Sequence, residues 1–524
     1  MTSKDDREAA EQVENPPKRR KDFDDLDAIP LASSDRNALP LRVRTSEKVL
    51  RSVIKIFVQS ATPNCSMPWQ TKRQRATYGS GFVIAGKRLL TNAHVVAYQT
   101  SVRVRKHGDA KKYTAHVICI GHECDIAMLG VDDETFWRDL EPLDFGSIPQ
   151  LEDDVVCVGF PTGGDNICIT RGVVSRVDIT RYSYSGVNLL AVQIDAAINS
   201  GNSGGPALQG SNVIGMAFET LNNAENIGYI IPIPVVNHFL RDYEVHGSYV
   251  GFCKMGIRWQ TLESENMRNY LGLSLHQTGV LITRVLPLCP ARNALKKGDV
   301  LMSIDEQVIA DNGTVHFRGN ERITFHYSLS QKYVHDECRM RVLRSREVQD
   351  ICVTLGTMLD LVPRLLNGKR PSYLVHGGLV FTPLTQPFLS HQWGRDWEEK
   401  APIRLCSYVS YGFIEKKDQE IVILSQVLSH ELTVGYEGIA FLQLLLFNGK
   451  EVLNLRHLAE MLDAEADAFN EGSNVAQFMH FQLDRDKEIA LPLRKSFSAN
   501  RDLLARYSIA QPRSDDLPDV HSLN

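Results

Sequence analysis

No apolar run in this chain approaches the roughly 20 residues that a membrane-spanning helix needs. Long runs such as Ile439 to Phe447 read instead as buried strand, so membrane insertion is not expected. Nor does one sign of charge dominate: 58 Lys and Arg face 63 Asp and Glu, a net −5. That balance argues against a general nucleic-acid or anionic-membrane binder. Met1 to Asn15 has no apolar stretch of the secretory kind and is too acidic for a mitochondrial transit peptide. The ten cysteines follow no small-domain spacing, which reads as reduced thiols rather than a disulfide framework. The expected compartment is nuclear, nucleolar or cytoplasmic, without secretion. Phosphate loops and dinucleotide fingerprints are missing. Cys119, His122 and Cys124 are too cramped for a zinc half-site and have no second pair nearby. His430-Glu431-Leu432-Thr433 begins like a zinc-protease helix, but Val434 stands where the second histidine belongs. No cofactor and no metal are therefore expected.

At 524 residues the chain exceeds what one core can hold. Residues 1–45 lack apolar periodicity and read as a disordered tail. Within them Pro16-Pro17-Lys18-Arg19-Arg20-Lys21 is a basic cluster that reads equally as a nuclear import signal or a solvated charge run. Residues 46–245 carry short Val/Ile-rich strands between turn signals, such as Val53 to Val58, Gly81 to Ile84, Val155 to Val158 and Val213 to Phe218. That pattern predicts antiparallel barrels. Residues 59–78 form a polar insertion expected to be a mobile loop. Further units are expected at 249–354 and 355–495, with an amphipathic helix at Leu455 to Leu462. Residues 496–524 are expected to be a loose C-terminal tail.

Gly201-Asn202-Ser203-Gly204-Gly205-Pro206 is the stretch richest in chemistry. A serine between glycines can present its hydroxyl while neighbouring N–H groups converge on one point, as a nucleophile and its oxyanion require. Standing alone, the segment is as readily a tight turn between strands. A serine also needs a base, and the base needs a carboxylate. His94 follows the apolar run Leu89-Leu90, and Asp125 heads the strand Ile126 to Leu129. Each would pass as structural if isolated. Asp195 is a rival acid, but it lies too close to Ser203 to reach behind His94. The order His, Asp, Ser is that of chymotrypsin-like double barrels. The Gly-x-Ser-x-Gly pattern of α/β-hydrolases also fits residues 201–205. That fold needs the histidine last and a helix directly after the serine, so it is set aside.

Thr91-Asn92-Ala93-His94-Val95-Val96, Asp125-Ile126-Ala127 and Gly201 to Pro206 together resemble the active-site blocks of Deg/HtrA serine endopeptidases. Flanking blocks fit in order: Tyr78-Gly79-Ser80-Gly81, Gly159-Phe160-Pro161, Gly172 to Ser175, Asp195 to Asn199 and Ile227 to Pro232. The resemblance covers about residues 48–240. It implies Ser203 as nucleophile, His94 as base and Asp125 as its orienting acid. It further implies an oxyanion hole at Gly201, Asn202 and Ser203, and a substrate pocket at Ile198, Gly215, Met216, Ala217 and Phe218. Ser200 departs from the proline or arginine common there in the family. Leu286 to Ala291 with Lys297-Gly298-Asp299-Val300-Leu301 resembles a PDZ core, and Phe447 to Leu455 the late part of a divergent second one. Tyr270-Leu271-Gly272-Leu273 is the candidate peptide-carboxylate loop. The implied fold is mainly β: a chymotrypsin-like double β-barrel followed by two PDZ-like α+β domains. The implied activity is ATP-independent endoproteolysis of unfolded, damaged or selected regulatory proteins. The implied partners are protein or peptide substrates and further copies of the chain, in a trimer or a multiple of trimers. The alternative is a peptide-binding chaperone or scaffold with a resting protease domain.

Overall fold

The computed structural model describes residues 46–220, 227–471 and 477–518. The basic cluster and the rest of the expected tail at 1–45 lie outside the described residues.

Twelve strands form two closed barrels. The first contains β1 (Val53–Ser60), β2 (Arg75–Ile84), β3 (Arg88–Thr91), β4 (Gln99–Lys106), β5 (Tyr113–Gly121) and β6 (Ile126–Gly130), in the order β1-β2-β3-β6-β5-β4. The second contains β7 (Asp154–Gly159), β8 (Cys168–Arg181), β9 (Asn188–Ile194), β10 (Pro206–Gln209), β11 (Asn212–Thr220) and β12 (Gly228–Pro232), in the order β10-β11-β12-β9-β8-β7. The period of two along each strand decides what lies inside. On β1, Ile54, Ile56 and Val58 enter the first barrel with Val83, Leu89, Val102 and Leu129. Val155, Cys157, Val192, Ile194 and Ile230 fill the second. Each such side chain contributes about 1.5–3 kcal/mol by leaving water. Alternate residues fill the seam between the barrels, where Phe82, Leu90 and Met128 of the first meet Val158, Met216 and Phe218 of the second.

A six-stranded sheet follows. Its path runs from β13 (Ile257–Gln260) through β14 (Val280–Val285) and β15 (Val300–Ile304) to Glu337–Arg344 and Glu347–Thr354, so β13 is an edge. A seven-stranded sheet completes the chain, with Leu379–Pro383, Val422–Val427 and Leu442–Phe447 near its middle. The helix Leu455–Asn470 lays Leu455, Leu458, Ala459, Leu462 and Ala466 against it. Asn454 caps that helix by accepting the His457 N–H at 2.7 Å. The helix runs two turns beyond the stretch expected from sequence.

Two sequence expectations need correction. Residues 496–518 are not a loose tail. The helix Leu493–Arg506 buries Leu503, Ile509 is buried beyond it, and Pro512 O accepts the Val375 N–H at 2.6 Å. Arg513 grips Asp463 at 2.8 and 2.9 Å, with both side chains buried. The polar composition misled because Arg513 and its acid neutralise each other inside the domain. The insertion at 59–78 is likewise held. Its start and end are strand, Cys65 is buried against Leu361 and Leu389, and Trp69 meets Tyr373 edge-on at 5.8 Å. Gln426 donates to Ser66 O at 2.9 Å. The partners of this loop lie some 300 residues away in sequence, so no local pattern reveals them.

Candidate active site

Strand pairing brings His94 and Asp125 together. β3 and β6 are antiparallel with Leu90 opposite Met128 and Thr91 opposite Ala127. The residues just after β3 therefore stand beside those just before β6. His94 lies in the short helix Ala93–Val96 that follows β3. Asp125 is fully buried, and one carboxylate oxygen accepts the His94 backbone N–H at 2.9 Å while the other meets His94 Nδ1 at 2.7 Å. Asn92 Nδ2 donates to Asp125 O at 2.9 Å. These bonds hold Asp125 in the left-handed region (φ 55°), which a non-glycine residue rarely adopts. A carboxylate only accepts, so Nδ1 carries the hydrogen and Nε2 is the ring nitrogen that can take a proton.

Ser203 sits in the turn leading to β10, with its Oγ donating to Phe218 O at 3.4 Å. Its carbonyl accepts the Ser80 N–H at 2.9 Å. The glycines after it are required by crowding: a Cβ on Gly204 would lie 2.2 Å from Ser80 O, and one on Gly205 2.2 Å from Val158 O. Ser200 O accepts the Thr162 N–H at 2.7 Å, and Asn202 O accepts the Gly205 N–H at 2.9 Å. In a trans peptide the N–H opposes the C=O. The Gly201 and Ser203 N–H groups are thus turned away from those anchors, and among the described residues neither meets a backbone carbonyl. Asn202 does not join them. Its N–H goes to Asn199 O at 2.9 Å, and its side chain is buried beneath Gly159. The Asn202 N–H is thus spent within the connecting turn, which leaves the Gly201 and Ser203 N–H groups as the donors available there.

Residues expected to share one pocket are divided by the strand period. Ile198 and Ala217 belong to the second barrel's cluster, whereas Met216 and Phe218 point into the seam. The Phe218 ring rests on Tyr182 at 4.6 Å. Gly215 is pressed against β12, where a Cβ would lie 2.7 Å from Ile231 O. The neighbour of Ile198 is Gly228, whose bare backbone Ile198 packs against so closely that a Cβ there would lie 2.9 Å from Ile198 Cδ1. Sequence reasoning passed over Gly228.

Two further features escaped it. Ser80 is fully buried; its Oγ donates to Gly201 O at 2.7 Å and accepts the Phe160 N–H at 2.8 Å. The Gly-Ser-Gly motif flagged the place but not the task. Tyr184 lies with its ring centre 6.0 Å from that of His94, and its hydroxyl is 2.9 Å from His122 Nδ1. Burial pushes the Tyr184 phenol up and the His122 imidazole down, so the phenol stays protonated and the imidazole neutral. His122, weighed as a metal ligand, is a partner of Tyr184 instead. No sequence signal links these two residues.

The candidate peptide loop is corrected. Tyr270 and Leu271 end the helix Glu265–Leu271, and Gly272 is its left-handed cap (φ 79°). Gly272 N–H donates to Asn269 O at 3.1 Å and Leu273 N–H to Arg268 O at 3.0 Å. Both donors are spent, and a helix C-terminus repels a carboxylate. A cavity of about 680 Å³ lies elsewhere, where Gly256, Phe325 and Leu329 face Val187 and Leu189 of the second barrel and Tyr408 and Phe413 of the last domain; of β13 only Ile257 lines it. Gly256, with φ 74°, precedes β13 directly.

A trypsin-like peptidase domain model matches residues 79–216, and a PDZ domain model matches 362–516. Among curated relatives, Protease Do-like 2, chloroplastic, of Arabidopsis thaliana is 40% identical over 488 residues, covering 93% of this chain and 78% of the relative. Protease Do-like 4, mitochondrial, from the same plant is 41% identical over 414 residues, covering 79% and 77%. A Plasmodium falciparum protein named Serine protease DegP homolog is 28% identical, covering 80% of this chain and 59% of the relative. Two closed barrels, a histidine held by a buried aspartate, a serine among glycines, and relatives matched over three quarters of their length make this chain a member of the Deg/HtrA family of serine endopeptidases, the protease Do-like proteins.

Proposed function

We propose that Ser203 Oγ attacks the scissile carbonyl while His94 Nε2 takes its proton and later returns it to the leaving amine. Asp125 would hold the imidazole in the tautomer this requires. The Gly201 and Ser203 N–H groups would receive the oxyanion, for which donors set in advance are worth about 3–4 kcal/mol each. The observation that carries this reading is the two-point hold of Asp125 on the backbone and ring of His94. Ile198 beside Gly228 supports a medium apolar side chain before the cut. The position of β13 at the edge of its sheet supports docking of an extended peptide as an added strand. Substrates are unfolded or selected proteins, cleaved without ATP, and the enzyme works as a trimer or a multiple of trimers; light scattering giving the mass of one chain would contradict the last point. Replacing Ser203 by Ala should abolish casein cleavage and fluorophosphonate labelling while leaving the thermal unfolding profile unchanged. Cleavage that persists in that variant would sink the assignment.

A further inference from the structure

Lys55 is a buried charge that the reaction above leaves unused. It faces outward on β1, between the inward Ile54 and Ile56, yet is only 5% exposed. Its Nζ donates to Gly164 O and to Asp165 Oδ1, both at 2.7 Å. The ammonium lies 5.6 Å from the ring centres of Phe57 and Tyr78 and 6.0 Å from that of Phe160. Arg105 on β4 reaches the same acid, with Nη2 on Asp165 O at 3.1 Å and Nη1 near Oδ2 at 3.5 Å. Burying an ammonium is costly, and an apolar residue would serve a barrel wall as well. The charge is better explained by what it holds.

What it holds is the loop between β7 and β8, residues 160–167. Lys55 and Arg105 belong to the first barrel; the loop belongs to the second. The loop in turn is the surface on which the Ser200–Gly201 peptide lies. Thr162 N–H donates to Ser200 O at 2.7 Å, and a Cβ on Gly201 would stand 2.6 Å from Phe160 O and 2.8 Å from Thr162 N. That contact is so close that a shift of the loop must shift the peptide.

We propose that Lys55, with Arg105 and Asp165, is a positioning clamp. It fixes the 160–167 loop so that Thr162 holds the Ser200 carbonyl and the Gly201 N–H faces the developing oxyanion. The clamp rests on the reading of Gly201 and Ser203 as oxyanion donors. It touches neither substrate nor reacting atoms. Its loss therefore weakens transition-state binding and spares substrate binding.

The test uses the full chain and the variants Lys55→Met, Lys55→Arg and Asp165→Asn. Asp165 is largely exposed and an asparagine there keeps an oxygen acceptor for Lys55, so this variant disturbs the fold less than Lys55→Met and tests the clamp even if Lys55→Met does not fold. The measurements are kcat and KM on a peptide substrate, and affinity for a peptide boronate, whose tetrahedral adduct needs the hole, against the matching peptide amide. Removing one oxyanion donor outright costs about 10²–10³ in kcat; misaligning it should cost about tenfold to hundredfold. Asp165→Asn and Lys55→Met should show that fall with KM within about twofold of wild type, and a matching loss of boronate affinity. Lys55→Arg, which keeps the charge and the donors, should recover most of it. Variants with lowered melting temperature but wild-type kcat and boronate affinity would make the cluster merely structural and overturn the clamp. A wild-type enzyme that binds the boronate no more tightly than the amide would instead overturn the oxyanion reading, and the clamp with it.

Discussion

Replacing Ser80 by Ala should damage stability and catalysis together. The fully buried Ser80 hydroxyl bridges Gly201 O at 2.7 Å and the Phe160 N–H at 2.8 Å. Alanine leaves the backbone bonds of residue 80 in place, including Ser80 N–H to Ser203 O at 2.9 Å. It strands a buried carbonyl and a buried amide. The space left by one oxygen is too small for a water to restore them. A stranded buried group costs about 1–3 kcal/mol, so the pair amounts to about 3 kcal/mol after some relaxation. For a unit of about 200 residues that is roughly 6–12 °C in the protease-domain transition, readable by calorimetry. The freed Gly201 carbonyl should also loosen the loop that carries Ser203, so kcat should fall more than KM rises. A transition within 2 °C of wild type (roughly 1 kcal/mol or less), together with unchanged kcat/KM, would refute the argument that Ser80 staples the two barrels.

Two further predictions follow. Asp125→Asn should keep the fold and KM but lower kcat by about 10⁴, because an amide at Oδ2 favours the wrong His94 tautomer; a loss below tenfold would count against the role of Asp125. In the C-terminal domain, burial first and the Arg513 charge second depress His376 from 6.5 to about 3. A histidine so depressed is held neutral, so its stability is present above pH 6.5 and is lost as pH falls towards 3. The loss is about 1.4 kcal/mol per unit inside that window, or about 2 kcal/mol between pH 7 and pH 5. His376→Gln should flatten that part of the pH–stability curve, and parallel curves for the two proteins would contradict the assignment.

Much of the fold could be read from the sequence because its signals are local. Alternating Val and Ile marked strands such as β1, β7 and β11 near their observed limits. The strands that escaped notice, such as β5 and β10, mix polar residues into the pattern or are only four residues long. The Tyr270 to Leu273 loop was misread because a glycine after apolar residues caps a helix as readily as it cradles an anion. Only the spent N–H groups of Gly272 and Leu273 distinguish the two. Likewise the polar segments 61–74 and 507–518 looked loose because their partners, Tyr373 and Asp463 among them, are remote in sequence.

By itself the sequence determined the chemical parts: a histidine after an apolar strand, an acid at a strand head, and a serine among glycines that crowding demands. It also determined, through period-two burial, that each barrel has an inside. Tertiary structure decided which parts meet and which donors remain available. Antiparallel register between β3 and β6 sets His94 beside Asp125. The Asn202 amide is consumed by Asn199, while the anchored Ser200 and Asn202 carbonyls turn the Gly201 and Ser203 N–H groups outward. Lys55 illustrates the division most plainly. In sequence it is one charge in an apolar strand. In space it reaches Asp165 and Gly164 across the gap between two barrels, because closure brings together residues separated by more than a hundred positions.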